Sequence, residues 1–259
     1  MTDWPSAFFE QHPAFSPIRR FLALFTAPPD HTDWQSLPVV AHSRSGAPIR
    51  FVHSDSITEY YELAIYQHGQ VATRLNWHDT FNAMIWHAFP LSKSALNAMH
   101  QRIICANPDS KIRGAARDAA TLFDECGLIL PYSDPQLLQM LEQHQWHELF
   151  VTNKGQWGKQ IGAITFGHAN FENLLNPFLG LTGKCWPIAV ERDFFALDIA
   201  AQCAQLDENL AHLIDADWLQ KPRQLPALPY LGVPDWHPEQ DLHFYENTAY
   251  FRPKRQKLG

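Results

Sequence analysis

The spacing of apolar positions along the chain predicts a largely helical protein. Trp77, Phe81, Met84, Ile85 and Ala88 recur every three or four residues, the interval that places side chains on one face of an α-helix. The same spacing, read with capping residues and prolines, predicts helices over 5–11, 15–26, 77–89, a segment capped by Ser92, 113–126 with Gly127 at C′, 134–150, 168–176, and from an Asp193 cap to about 214.

Fewer stretches have the pattern of β-strands. Residues 60–66 and 71–75 are rich in β-prone side chains and flank the turn signal His68-Gly69, so we predict a β-hairpin over 59–75. A further strand is expected over 185–190, and a short one within 151–166. Strands and helices do not alternate regularly, which argues against a doubly wound sheet. The predicted class is therefore α+β, mainly helical, with a β-hairpin or small antiparallel sheet.

Prolines concentrate toward the two ends of the chain. Seven of the 19 lie in residues 1–48, and five lie between Pro222 and Pro238. Proline removes a backbone donor and prevents helix continuation, so these segments are expected to wrap a core in extended or briefly helical form. We predict an N-terminal arm with short helices over 1–48, a core domain over 49–221, and a C-terminal arm over 222–259 that packs on the core.

Composition supports a globular chain and argues against two classes of partner. Hydrophobic residues make up 46% of the 259 positions, enough for a full core and incompatible with general disorder. The net charge of -7 argues against nucleic-acid binding, which usually needs a basic surface. No apolar run approaches the roughly 20 residues of a membrane span, and no signal-type segment opens the chain.

The four cysteines indicate a reducing compartment. They are widely spaced and form no CxxC pair, which argues against a zinc ribbon or a disulfide scaffold: Cys105, Cys126, Cys185 and Cys203. Free buried thiols are the simplest interpretation. We therefore expect a soluble, cytoplasmic protein.

Several blocks of sequence carry a likeness to a known family. The first is Thr73-Arg74-Leu75-Asn76-Trp77-His78-Asp79-Thr80-Phe81-Asn82-Ala83, followed by Phe89-Pro90 and Lys93. The later blocks are Arg117-Asp118-Ala119 with Leu122-Phe123-Asp124-Glu125, Phe166-Gly167-His168-Ala169 with Glu172, Pro177-Phe178 with Gly180-Leu181-Thr182, Leu231-Gly232-Val233-Pro234 with Trp236, and Phe244-Tyr245 through Phe251-Arg252-Pro253. As a set they resemble a bacterial family known as domain of unknown function 3025. The resemblance implies one domain and a bacterial source, and it brings no activity, cofactor or catalytic residue.

Histidines and carboxylates within these blocks suggest a metal site. His168 and Glu172 are four residues apart, so on a helix their side chains point the same way. With His78 and Asp79 they would form a ligand set suited to Zn, Mn or Fe. A bound divalent metal could activate water for hydrolysis, with Asp124 or Glu125 as the general base and Asp118 as a further candidate. The spacing matches no named metal motif, so the identity of any metal stays open.

Cationic and amide side chains near these positions suggest an anionic small-molecule substrate. Arg74, Lys93 and Arg117 could bind an anionic group, and Asn82 lies beside His78 on the predicted helix. The same cations could instead balance the neighbouring acids.

Two functions therefore stand open from the sequence. One is a metal-dependent hydrolase acting on a small anion. The other is a non-catalytic binding or scaffold protein in which the same residues form a structural ion-pair network. The two differ in whether positions 78, 124 and 168 converge on a site that solvent can reach.

Overall fold

The computed structural model describes residues 4–106 and 113–254, and helices dominate them. The α-helices are α1 Ser6–Gln11, α2 Arg19–Leu22, α3 His31–Gln35, α4 Tyr61–His68, α5 Trp77–Ala88, α6 Pro90–Ala106, α7 Ala115–Cys126, α8 Pro135–Glu142, α9 His168–Leu174, α10 Ile199–Asp215 and α11 Leu242–Tyr245. The strands are β1 Arg50–His53, β2 Gln70–Thr73, β3 Gly127–Tyr132, β4 Ile164–Thr165, β5 Thr182–Ala189 and β6 Ala227–Pro229. The predicted α+β class, with more helix than strand, is confirmed.

The strands form two small sheets. In the first, β1 pairs with β2 in parallel, Arg50 opposite Gln70. The second has the order β4-β3-β5-β6, in which β3 and β5 are parallel and both edge strands are antiparallel to their neighbours. The strand β3 reads Gly-Leu-Ile-Leu-Pro-Tyr and is buried almost throughout, as expected for an inner strand covered on both faces.

The hairpin predicted over 59–75 is wrong. Residues 61–68 form the helix α4, whose Ala64 and Ile65 are buried, so tertiary packing overrides the β propensity of its tyrosines. Gly69 ends this helix in the left-handed region at φ +67°. The returning strand β2 pairs with β1, a strand that the sequence did not predict.

Other predicted boundaries also change. Asp198, not Asp193, caps α10, and α6 begins at Pro90 because proline suits the first helical position. Gly127 is extended at φ -66° and starts β3, so it is not a left-handed C′ residue. The helix predicted over 134–150 stops at Glu142, and a separate π-helical turn covers Glu148–Thr152. The helix predicted over 15–26 shrinks to α2.

Aromatic side chains from both ends of the chain join the core. Phe15 lies 5.2 Å from Phe171 and 5.8 Å from Phe81, measured between ring centres, so residues before position 49 pack on α5 and α9. At the other end, Tyr245 and Phe251 pack against Phe150. Among the described residues, no helix combines the length and apolar character that crossing a bilayer requires.

Candidate metal centre

The first turn of α5 delivers His78. Asn76 caps this helix, since its side-chain oxygen accepts the Asp79 backbone N–H at 2.8 Å. The buried Phe81, Met84 and Ile85 face the core on the next turns. That packing leaves His78 on the side that faces α7 and α9, with its side chain 36% exposed.

A close contact between two glycines delivers His168 against the end of α7. The backbone N–H groups of Phe166 and Gly167 donate to the Gly127 oxygen at 3.1 and 2.8 Å. A Cβ on Gly167 would lie 2.3 Å from the Gly127 nitrogen and 2.4 Å from the Glu125 oxygen, so only glycine fits there. Because His168 follows Gly167 directly, this contact places its ring beside Glu125.

Three potential ligand atoms converge as a result. The Nε2 atoms of His78 and His168 lie 3.0 Å apart. Glu125 Oε2 lies 3.4 Å from His168 Nε2 and 3.8 Å from His78 Nε2. These residues come from α5, α7 and α9, and within the described ranges they form the one His/Cys/Asp/Glu group compact enough to hold a metal ion.

The separations match those of a coordination sphere. A tetrahedral metal with bonds of about 2.0–2.1 Å places its ligand atoms about 3.3 Å from one another. The observed distances of 3.0, 3.4 and 3.8 Å bracket that value. Two imidazoles and one carboxylate also make up a known ligand set of catalytic zinc sites, which keep a fourth position open for water.

Glu172 orients the ring of His78. Its Oε2 lies 3.2 Å from His78 Nδ1. A carboxylate accepts a hydrogen bond, so Nδ1 carries the proton and Nε2 presents a lone pair toward His168 and Glu125. Carboxylates commonly hold metal-binding histidines in this way.

Burial keeps His168 in the form that binds metals. Its side chain is 4% exposed, and burial lowers its pKa to about 3, although the charge of Asp124 acts in the opposite direction. The ring is therefore neutral at physiological pH. Burial, with the nearby charge of Asp124, raises the pKa of Glu125, while His78 partly offsets this.

Behind the cluster, Lys93 and Asp124 form an ion pair. Lys93 Nζ donates to Asp124 Oδ1 at 2.5 Å and to Asn82 Oδ1 at 2.9 Å. Burial acts to raise the pKa of Asp124, but the charge of Lys93 and its hydrogen bond outweigh burial, and the net shift is downward. Asp124 is thus an anion committed to Lys93 and is poorly placed to act as a free general base.

The remaining predicted site residues lie outside the cluster. Asp79 accepts the Arg74 backbone N–H at 2.7 Å, which turns its carboxylate toward the preceding loop. Asp118 is exposed and lies 3.7 Å from Arg113, and Arg117 donates to the Tyr60 hydroxyl at 2.6 Å. Their predicted roles as ligand, catalytic residue and substrate-binding residues stay predictions.

Sequence reasoning missed a second polar group next to this site. Glu62 lies 3.9 Å from His100 and accepts a hydrogen bond from Asn97 at 2.8 Å, in a narrow pocket of about 20 Å³ that Asp124 and Lys93 also line. Burial raises the pKa of Glu62 to about 7 and lowers that of His100 to about 4. The i, i+4, i+7 spacing of Lys93, Asn97 and His100 on α6 was the available signal.

The family assignment follows from sequence similarity. The profile of the family described as protein of unknown function (DUF3025) matches residues 49–255, which include every member of the cluster. No curated protein and no solved structure is significantly similar to the chain. Because the match covers most of its length, the chain belongs to the DUF3025 family.

Proposed function

We propose that this protein binds one divalent transition-metal ion through His78, His168 and Glu125 and uses it to hydrolyse a small molecule. The observation that carries the proposal is the mutual approach of three ligand atoms within 3.0–3.8 Å. Glu125, which the sequence suggested as a general base, serves here as a ligand. Glu172 holds His78 by its Nδ1.

Water can reach this site. The side chains of His78 and Glu125 are 36% and 37% exposed, while His168 lies beneath them. A metal held by three protein ligands retains an open position for water, and a bound Zn²⁺ lowers the pKa of that water to about 7. Hydroxide would then form near neutral pH without a separate general base, which suits a centre where Glu172 is bonded to His78 and Asp124 is paired with Lys93.

The ligand types favour some metals over others. Two imidazoles with one carboxylate suit Zn²⁺, Mn²⁺ or Fe²⁺. Mg²⁺ and Ca²⁺ prefer oxygen ligands alone. For the substrate we retain a small anionic molecule, with the exposed Arg74 as the first cation to test. The four unpaired cysteines support a cytoplasmic location within the same proposal.

The test is a metal titration of the chelator-treated protein. We expect one Zn²⁺ per chain by calorimetry, together with a higher melting temperature in the presence of excess metal. His168→Ala should abolish high-affinity binding. His212→Gln is the matched control, because His212 is exposed on α10, which contributes no residue to the cluster. A chain that binds no Zn²⁺, Mn²⁺ or Fe²⁺ would contradict the proposal.

The second candidate is a structural role for the same residues. One observation favours it: His78 lies between Glu125 and Glu172, so a protonated ring could pair with both. That network would make the protein a non-catalytic binding or scaffold protein. In that case metals leave stability unchanged, and Glu125→Gln lowers the free energy of unfolding without any effect on metal content.

A further inference from the structure

Lys93 lies at a buried junction of three helices. It extends from α6 with a side chain that is 5% exposed. Its Nζ donates to Asn82 on α5 and to Asp124 on α7, and it lies 5.4 Å from the centre of the Trp86 ring. At least two of its three N–H groups are thereby directed at protein acceptors. A substrate anion would have to displace these partners to reach it.

Both partners of Lys93 are neighbours of proposed metal ligands. Asn82 follows His78 by one helical turn on α5, and Asp124 directly precedes Glu125 on α7. The helix α6 contributes no residue to the described cluster. Lys93 therefore connects two ligand-bearing helices from outside the ligand set.

The positive charge of Lys93 makes this connection geometrically specific. A charged donor with two short hydrogen bonds fixes geometry more tightly than an apolar contact of the same size, because each bond constrains distance and angle. Breaking such a buried pair from one side leaves the other charge without compensation.

We propose that Lys93 is a positioning residue of the metal centre, which sets the separation of His78 and Glu125 through its bonds to Asn82 and Asp124. This inference rests on the proposed metal site. It departs from the substrate contact that the sequence suggested for Lys93.

The experiment compares Lys93→Met with Asp207→Asn. Asp207 is a buried carboxylate that accepts the backbone N–H groups of Leu91 and Ser92, so it ties α6 to α10, a helix that contributes no residue to the cluster. We expect Lys93→Met to weaken Zn²⁺ binding roughly 10–100-fold. We expect Asp207→Asn to change it less than about 2-fold, although both variants should lower the free energy of unfolding of the metal-free chain.

The direction of the effect separates geometry from charge. Removing a positive charge near a metal site would by itself strengthen cation binding, so weaker binding in Lys93→Met reports a change of geometry. The double variant K93M/D124L removes one charge of each sign and replaces the pair with apolar groups. We expect it to regain stability while Zn²⁺ affinity stays low. If Lys93→Met does not fold, the Zn²⁺ affinity of this double variant tests the inference in its place.

Three results would overturn the inference. They are unchanged Zn²⁺ affinity in folded Lys93→Met, an equal loss in Asp207→Asn, and recovery of affinity together with stability in K93M/D124L. Imidazole NMR spectra of the metal-free chain provide a readout that does not need the metal. The His78 and His168 resonances should shift in Lys93→Met and stay in place in Asp207→Asn. If the wild-type chain binds no metal, the proposed function fails, and these spectra alone decide whether Lys93 positions the rings.

Discussion

Gly167 and Glu125 are in such close contact that a Cβ on Gly167 would lie 2.4 Å from the Glu125 backbone oxygen. The same added carbon would lie 2.3 Å from the Gly127 nitrogen. Backbone atoms cannot yield as a flexible side chain can, so α9 and the end of α7 would have to separate. His168 and Glu125 would separate with them.

Gly167→Ala is therefore expected to impair metal binding more than the addition of one methyl group would suggest. We expect a loss of Zn²⁺ affinity of at least about 10-fold and a destabilisation of roughly 1–3 kcal/mol from overpacking. Calorimetry and urea unfolding measure the two effects. Gly155→Ala is the control, because a Cβ at Gly155 meets nothing within 4 Å. Wild-type affinity in Gly167→Ala would contradict the geometry described for His168.

Glu172→Ala should weaken metal binding without abolishing it. The carboxylate holds His78 by Nδ1 at 3.2 Å and is not itself one of the three converging ligands. Loss of such an orienting partner typically costs about 10–100-fold in metal affinity. Competition titration with a chromophoric chelator measures the change. A loss as complete as that of His168→Ala would instead identify Glu172 as a direct ligand.

Glu62 is expected to make stability fall as the pH rises from about 5 to 7. Burial raises its pKa to about 7 from an ordinary value near 4.5, so the folded chain holds a proton that the unfolded chain has released. The contribution of Glu62 to the free energy of unfolding is fully present below its pKa in the unfolded chain, and it is lost as the pH rises to its pKa in the folded chain. The total loss is on the order of 3 kcal/mol at most.

Glu62→Gln tests this contribution. The buried histidines contribute equally to both proteins, so the test is the difference between them. The free energy of unfolding of the variant should rise relative to that of the wild type by up to about 3 kcal/mol from pH 5 to pH 8, measured by urea unfolding at pH 5, 6, 7 and 8. Parallel pH profiles for the two proteins would show that the pKa of Glu62 does not differ between the folded and the unfolded chain.

Gly69→Ala should destabilise the fold more than Gly158→Ala. Both glycines have positive φ, +67° and +77°, so alanine is strained at either position. At Gly69 the new Cβ would also lie 2.1 Å from the Pro48 backbone oxygen, whereas at Gly158 it meets nothing within 4 Å. We expect a loss of about 1 kcal/mol at Gly158 and more than about 2 kcal/mol at Gly69, measured by thermal unfolding. Equal losses would mean that the chain around Pro48 relaxes freely.

Local sequence was a good guide to α5, because this helix carries both start and stop signals. The helix α5 has an apolar stripe, an asparagine cap and a following proline, and its predicted span of 77–89 differs from the observed one by a single residue. The spacing of His168 and Glu172 likewise predicted a shared helix, which α9 confirms.

Errors arose where neighbours decide the structure. The tyrosines of 60–66 favour a strand in isolation, but burial of Ala64 and Ile65 against α6 makes the segment helical. The run that forms β3 follows α7 without a turn, so the sequence predicts Gly127 at the end of a helix, whereas it is the first residue of a strand. An apolar run of six residues has no periodicity to distinguish a strand from a buried helix.

The geometry of the site also depends on contacts that local sequence does not predict. His78 and His168 are 90 positions apart, and nothing local indicates that their Nε2 atoms meet. Nothing in the local sequence indicates that Asp79 accepts the Arg74 backbone N–H, or that Glu125 lies 3.4 Å from His168. That contact depends on how the loop enters α5, which periodicity does not encode.

The aromatic residues before position 49 have a consequence for experiments on this family. Trp4 stacks on Trp77 at 5.4 Å, and Phe15 covers Phe81 and Phe171, although the family match begins only at residue 49. A fragment cut to the matched region would expose a continuous apolar surface on α5 and α9, the helices that hold His78 and His168. Expression trials that begin at the family boundary would then yield an insoluble product, and an inactive fragment would say nothing about the intact protein.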